Sequence, residues 1–577
     1  METVPSILSL HDRPLSRYEL VDRGDLVIFP YLRPCRVSIL IVVDASISFS
    51  HAYFGLSTVL DTLRNNPEFY VKFDVTRAHR QTDNFKPNQA TEPDAWSKYG
   101  PHYENFRFTQ SGFNIDNYNQ IWFFGFYGEG GAGSLSQAEL EILSRWMDRG
   151  GGVFATGDHA DLGAALCSAI PRVRSMRKWT NAQGVPMPNG SNRHDTLRKG
   201  MNASYTFDDE SDDEPMPITP IYENLGSWSP FLERRAPHPL LCGKDGVIDI
   251  LPDHPHEGEV LDGWQIDLTA NFGFCSYTNQ PEYPTVSGHT EEPKLVARAR
   301  VQSDHSATDF KGIVNAKSFG VIGAYDGHTV NVGRVAVDST WHHWFDVNLI
   351  GRPVSNLDSS PMNATNPKIH GFNASVAGQH ALARIQNYFR NVALWLAPKA
   401  KQNCMFTRAT WGVVIRYPLI ERLHPLLPIW ELGGVARDAI GLRASQCTVS
   451  RWILDLYLPR LVDIFKFRPD PCLSCPPFEL VERYLLGAIT REMLTIAYEL
   501  EKREITDKEM DLKPVQEAFA RGVEIGTKEL VKALNRSLED GRKLVEELAP
   551  LLERNRIKDF SFDDKPSERE NPKRKKK

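Results

Sequence analysis

The chain reads as an α/β protein: a parallel-sheet domain carrying large insertions, followed by an all-helical region. Three observations predict this. Val37–Asp44, VSILIVVD, is an apolar, largely β-branched run closed by an aspartate, the pattern of a strand covered on both faces. Ile121–Gly163 runs strand, glycine loop, helix, triple glycine, strand and polar loop, which is one αβ unit of a parallel sheet. From Gln379 onward the apolar spacing changes to three and four, with Leu382, Ile385, Phe389, Val392 and Leu396 on one helical face.

The elements follow in order. Residues 1–36 are an N-terminal extension with one short apolar piece, Leu26–Tyr31. The α/β domain spans 37–350. After its first strand, a small polar stretch leads into a helix ending near Leu63. Glu68–Val75 reads as the second strand, residues 80–117 as an excursion without a period, and Ile121–Phe124 as the next strand. The helix after it is well marked. Ser136 and Glu139 have capping-box spacing. Leu140, Leu143 and Met147 share a face that Ile142 and Trp146 widen, Arg145 and Arg149 suit the negative end of the helix dipole, and Gly150–Gly152 stop it. Val153–Thr156 then delivers Asp158, His159 and Asp161. Residues 180–235 read as an insertion, with Asp208–Glu214 as a solvated acidic loop. Val247–Leu251 is a short strand ahead of PDHPHEGE, Pro252–Glu259. Phe319–Tyr325 pairs with Gly333–Asp338, which delivers Ser339–Trp344. Residues 351–376 are a linker by their Pro, Asn and Ser content. The helical domain spans 377–560, with helices at 428–442, 448–466, 478–502, 506–524 and 527–555, and 561–577 is a disordered basic tail.

Composition bounds the function. At 577 residues, two or more domains are expected, and the apolar and charged shares of 41% and 24% are those of a soluble globular protein. No window approaches the roughly 18 apolar residues that span a bilayer. The N-terminus lacks the basic-then-apolar order of a secretory signal. Eight cysteines are too sparse for a disulfide framework, so a cytoplasmic, reducing location is expected. Cys472 and Cys475 form one CxxC without a second ligand pair and read as ordinary thiols rather than a zinc site. The net charge of −6 gives no pull toward nucleic acid or membrane. The basic run Pro572–Lys577 reads as a solvated end, so nucleic acid ranks last among partners.

Open α/β sheets bind ligands beyond the carboxyl ends of their strands. Four segments are therefore expected to converge: Asp44, Gly157–Asp161, Asp253–Glu259 and Asp338–Trp344. Asp44 would floor the cleft and meet substrate. Pro255 favours an extended chain at His254, which would turn His254 and His256 to one side. Both could then bind one divalent cation, zinc or similar, with Glu257, Asp253, His159 or Asp161 completing the shell. A polar surface loop is the competing reading. His159 also suits acid/base work oriented by Asp158 or Asp161, in competition with metal ligation and with a helix cap near Leu162. If Trp341–Trp344 is extended, its two histidines face opposite ways, and His342, nearer the strand end, is the one expected in the site. Trp341 would wall the cleft or stack on a sugar, against the commoner fate of core packing. Gly128–Gly133 matches G-x-G-x-x-G, but the helix-cap signals follow its last glycine. It reads as a flexible loop or lid rather than a dinucleotide fingerprint. No G-x-S-x-G elbow or Walker A sequence occurs.

Taken together, LSQAELEILSRWMDRGGGVFATGDHA, the DHPHEGE loop and the closing GRVAVDSTWHHW resemble the ThuA-like branch of the class I glutamine amidotransferase-like superfamily over about residues 37–350. The resemblance implies a flavodoxin-like sheet and a link to carbohydrate chemistry. It does not imply glutaminase activity. The family's amidotransferases carry a cysteine nucleophile at the elbow, where this chain has Gly157, Asp158 and His159, and Cys167 lies eight residues beyond His159 in a predicted helix.

The expected function is hydrolysis or proton transfer on a polar small molecule, with a sugar derivative as one candidate and a bound metal as one means. The rival expectation is a non-catalytic binding or assembly module whose helical half recruits a protein partner. Convergence of the histidines and aspartates on one point would favour the enzyme, and dispersal would favour the module.

Overall fold

The structure is a computed structural model that describes residues 33–44, 47–80, 100–180, 194–196, 213–229, 232–254, 257–301, 305–306, 313–353, 367–416, 427–457, 478–502 and 513–554. A nine-stranded mixed sheet organises it. Its strands in chain order are β1 (Cys35–Val43), β2 (Val71–His79), β3 (His102–Tyr103), β4 (Gln120–Phe124), β5 (Gly152–Thr156), β6 (Thr219–Pro220), β7 (Lys294–Val301), β8 (Lys317–Tyr325) and β9 (Val335–Asp338). Across the sheet they lie in the order β3-β2-β1-β4-β5-β9-β8-β7-β6. The six from β3 to β9 are parallel, and β8, β7 and β6 add antiparallel pairings at one side.

β1 is buried on both faces, as its sequence dictates. Ile39, Ile41 and Val43 point to one core, while Leu40 and Val42 point to the other. The second core is closed by α2 (Gln137–Asp148) through Leu140, Leu143, Trp146 and Met147. Ser136 caps this helix in the expected reciprocal box with Glu139. The first core is closed by α1 (Ser57–Arg64) and by helices of the C-terminal half: α3 (Val376–Trp395), α4 (Lys399–Arg416), α5 (Ile429–Ala444), α6 (Gln446–Tyr457), α7 (Phe478–Lys502) and α8 (Lys513–Arg554). One apolar cluster runs without a break from Ile39 and Trp122 in the sheet through Tyr388 and Phe389 in α3 to Phe406 in α4 and Phe519 in α8. Arg334, just before β9, ties the two halves by ion pairs to Asp326 and to Asp455 of α6. The backbones also approach closely, since a Cβ on Gly152 would come within 2.1 Å of the Leu396 carbonyl oxygen.

Several expectations are corrected. The second strand lies three residues later at its start, because Val71–His79 is the run in register with Cys35–Val43. Val247–Leu251 is not one strand. Gly246–Val247 and Ile250–Leu251 belong to two separate small ladders outside the main sheet. Within the acidic run, Asp213 is buried, whereas residues 208–212 lie outside the described residues. The last two expected helices are one continuous helix over the described part, Lys513–Arg554. Helix α4 had not been singled out from the sequence. Although the cysteines are too sparse for a disulfide framework, Cys35 and Cys404 form one disulfide joining β1 to α4, with Cα atoms 6.1 Å apart. The N-terminal extension through residue 32, the Cys472–Cys475 loop and the basic tail lie outside the described residues.

Glu139 does more than cap. Its carboxylate accepts from Arg80 at 2.7 and 3.1 Å and from the Phe108 amide at 3.0 Å, and both charged side chains are buried. Glu139→Ala leaves the Arg80 guanidinium buried without its partner. It is expected to lower unfolding stability by about 3–5 kcal/mol in urea titrations. A loss below about 1 kcal/mol, the range of an exposed pair, would contradict this account.

Candidate functional site

The parallel strands β5 and β9 lie side by side, so their carboxyl ends open onto the same rim. β5 leads through Gly157 into Asp158 and His159. β9 leads through Ser339 and Thr340 into a 3-10 turn, Trp341–His343. The loop carrying His254 does not follow a sheet strand, yet it reaches the same rim. Val260 bridges both Arg177 and Gly320 of β8, and Glu257 bridges His194, which folds the loop across the strand ends. Arg177 fastens the assembly. Its guanidinium is fully buried and donates to the carbonyls of Asp158, Asp338 and Ser339 at 2.5, 3.1 and 2.7 Å. Nothing in the sequence marked Arg177 for this task.

Asp158, His254 and His342 form the centre. Each is buried, and their ligand atoms all lie within 4.8 Å of one another, so the three could hold a metal ion. The His254 and His342 rings stack, with centroids 3.6 Å apart. His342 Nδ1 is 2.6 Å from Asn348 Oδ1, which fixes the ring and leaves Nε2 as its ligand atom. The Thr340 hydroxyl donates to Asp158 Oδ1 at 2.7 Å, and the same hydroxyl accepts from the His342 amide at 3.0 Å. Asp158 Oδ2 lies 2.8 Å from His159 Nδ1 and 3.5 Å from His254 Nε2. Burial alone would raise the Asp158 carboxyl, but the imidazoles of His254 and His159 hold it well below the usual carboxylate range. It is therefore an anion at neutral pH, as a ligand must be. His159 is the partly exposed member, oriented by Asp158.

Directly behind lies a second cluster that sequence reasoning missed. His343 Nδ1 sits 2.6 Å from Asp338 Oδ1, and its Nε2 sits 3.5 Å from Glu257 Oε2. Asp338 Oδ2 also accepts from Tyr388 of α3 and from Trp344, while Glu257 accepts from Ser339 and Thr196. Burial would lower the His343 imidazole, yet the two carboxylates raise it to about 10. His343 is thus a buried cation bracing the floor. The doubled histidine of Ser339–Trp344 was the available signal. Its reading as an extended segment is corrected, because the 3-10 turn sends His342 to Asp158 and His343 to Asp338.

The remaining predicted residues fall elsewhere. Glu257 belongs to the His343 cluster rather than to the three-ligand group. Asp161 accepts from the Glu129 amide at 3.1 Å and so pins the glycine loop. Neither aspartate caps the next helix with its side chain. That helix, Ala164–Cys167, starts from Gly163 in a left-handed conformation. Trp341 is buried, stacked between Phe126 and Phe345, with its indole N–H on the Gly125 carbonyl. It is packing rather than an exposed wall. His256 lies outside the described residues. Asp44 directly follows β1 and accepts from the amides of Phe126 and Tyr127. Cys167 is buried, as expected of a small apolar residue.

No family model, curated protein or solved structure matches the chain. The chemistry of the site therefore rests on its own residues.

Burial raises the Asp44 carboxyl to about 7, although the Phe126 and Tyr127 amides pull the other way. A carboxyl whose folded pKa exceeds its unfolded one of about 3.9 stabilises the fold most below that unfolded value. That contribution is lost as the pH rises through about 7. Asp44→Asn, which keeps an acceptor for the Phe126 amide, should therefore gain stability relative to the unsubstituted protein between pH 5 and pH 8. Urea titrations at the two pH values check this, and a difference independent of pH would contradict it.

Proposed function

We propose that the chain is an enzyme performing metal-assisted hydrolysis or proton transfer on a polar small molecule at the rim above β5 and β9. The observation that carries this reading is the convergence of Asp158, His254 and His342, drawn from three separate segments. The donor set of two imidazoles and one carboxylate suits zinc or a similar divalent ion, and the Asn348 contact to His342 is the outer-shell bond such ligands have. Bound there, the ion would supply Lewis-acid polarisation of a substrate oxygen. The chain's own residues do the rest. Thr340 and Arg177 hold the Asp158 loop in place, and His159, oriented by Asp158, takes or gives a proton at the open side. A carbohydrate derivative is the substrate class that the ThuA-like resemblance implies. Five of the nine strands, in the order β2-β1-β4-β5-β9, match the 2-1-3-4-5 order of flavodoxin-like sheets, which supports the same resemblance.

One observation favours the second reading, a module whose helical half recruits a protein. The far part of α8 exposes Leu538, Leu544, Val545 and Leu548 by 42–64%. That feature bears on α8 alone and gives no role to the buried histidines.

Elemental analysis after loading with zinc and dialysis tests the leading reading. About one equivalent is expected in the unsubstituted protein, and none in Asp158→Ala or His342→Ala. Asn348→Leu should weaken binding roughly 10–100-fold. His159→Gln should keep the metal and lose turnover of ester, amide and phosphoester substrates. Equal metal content in the unsubstituted protein, Asp158→Ala and His342→Ala would refute the metal centre.

A further inference from the structure

The cysteines on the page pair off in an unexpected way. Among the described residues there are six: Cys35 and Cys404, already bonded, and Cys167, Cys242, Cys275 and Cys447. Cys242 and Cys447 are neighbours. The strand piece Cys242–Gly243 packs against the helix that carries Cys447, and the Cys242 thiol, which donates to the carbonyls of Pro237 and His238 at 3.4 and 3.5 Å, has Cys447 as its nearest interacting thiol. Cys242 is buried, and its backbone carbonyl is fixed by the Asn391 side chain of α3. Cys447 is half-buried at the second residue of the twelve-residue helix α6, whose N-terminal end favours an anion. The Cys35–Cys404 bond and this contact lie on the same boundary, each joining the α/β part to the helical half.

We propose that Cys242 and Cys447 form a second disulfide, so that the helical half is stapled to the sheet domain at two points. A small-molecule disulfide such as oxidised glutathione is the oxidant. The Cys447 thiolate attacks one of its sulfurs, forming a mixed disulfide and expelling one glutathione thiolate. The Cys242 thiolate then attacks the Cys447 sulfur and expels the second. The two protein thiols lose two electrons and two protons, and the oxidant becomes two thiols. A chain closed by two such bonds belongs to an oxidising setting rather than to the reducing one its sparse cysteines suggest.

The test is non-reducing peptide mapping of the full chain after equilibration in glutathione buffers. The expected result is a Cys242–Cys447 linked peptide that disappears on reduction. In a Cys35→Ser, Cys404→Ser background, the unfolding temperature should still fall on reduction, and Cys447→Ser should abolish that fall. The proposal is overturned if Cys447 is recovered free or only as its glutathione adduct while Cys35–Cys404 is closed. It is equally overturned if reduction leaves the melting temperature of the background variant unchanged.

Discussion

The fully buried guanidinium of Arg177 bonds the carbonyls of Asp158, Asp338 and Ser339, the residues at the ends of β5 and β9. Backbone carbonyls past a strand end have no ladder partner and cannot be buried unpaired without cost. A single cation with several donors satisfies three of them at once and fixes the separation of the two loops. Asp158 and His342 owe their spacing to that clamp. The neighbouring loop owes its path to it as well, since a side chain on Gly258 would collide with the same guanidinium.

The described interior also carries buried charges held in ion pairs. His343 lies between Asp338 and Glu257, Arg334 between Asp326 and Asp455, and Arg80 against Glu139. Buried ions are tolerated only when paired and hydrogen-bonded. Asp338 shows how far the coupling extends, because it binds His343 and Trp344 locally and Tyr388 of α3. The helical half thereby reaches the floor of the candidate centre as well as the apolar face of the sheet. The continuous core and the Cys35–Cys404 bond make the same connection by other means.

The division of roles within Ser339–Trp344 follows from local geometry. An extended chain would place alternate residues on opposite faces. The 3-10 turn instead rotates successive side chains by about a third of a turn, so the two adjacent histidines enter two different clusters and both tryptophans stay in the core. His342 gains Asn348 from the following turn, a contact six residues away that no periodicity announces.

Much of the frame was legible in the sequence. The β-branched run of β1, the capping box and glycine stop of α2, the strand pair β8–β9 and the helical texture after residue 376 all express short-range chemistry, and short-range chemistry can be read residue by residue. Asp158, His159, His254 and His342 were legible as candidates because polar groups at strand ends and beside proline stand out against an apolar sheet. Their grouping was not. The choice of Glu257 and Asp161 as structural residues, the role of Arg177, the buried state of His343 and the pairing of Cys35 with Cys404 each depend on contacts between segments many residues apart. Local propensity carries no record of such contacts. They are set only when the sheet twists, residues 257–260 pair back onto it and the helices close the core.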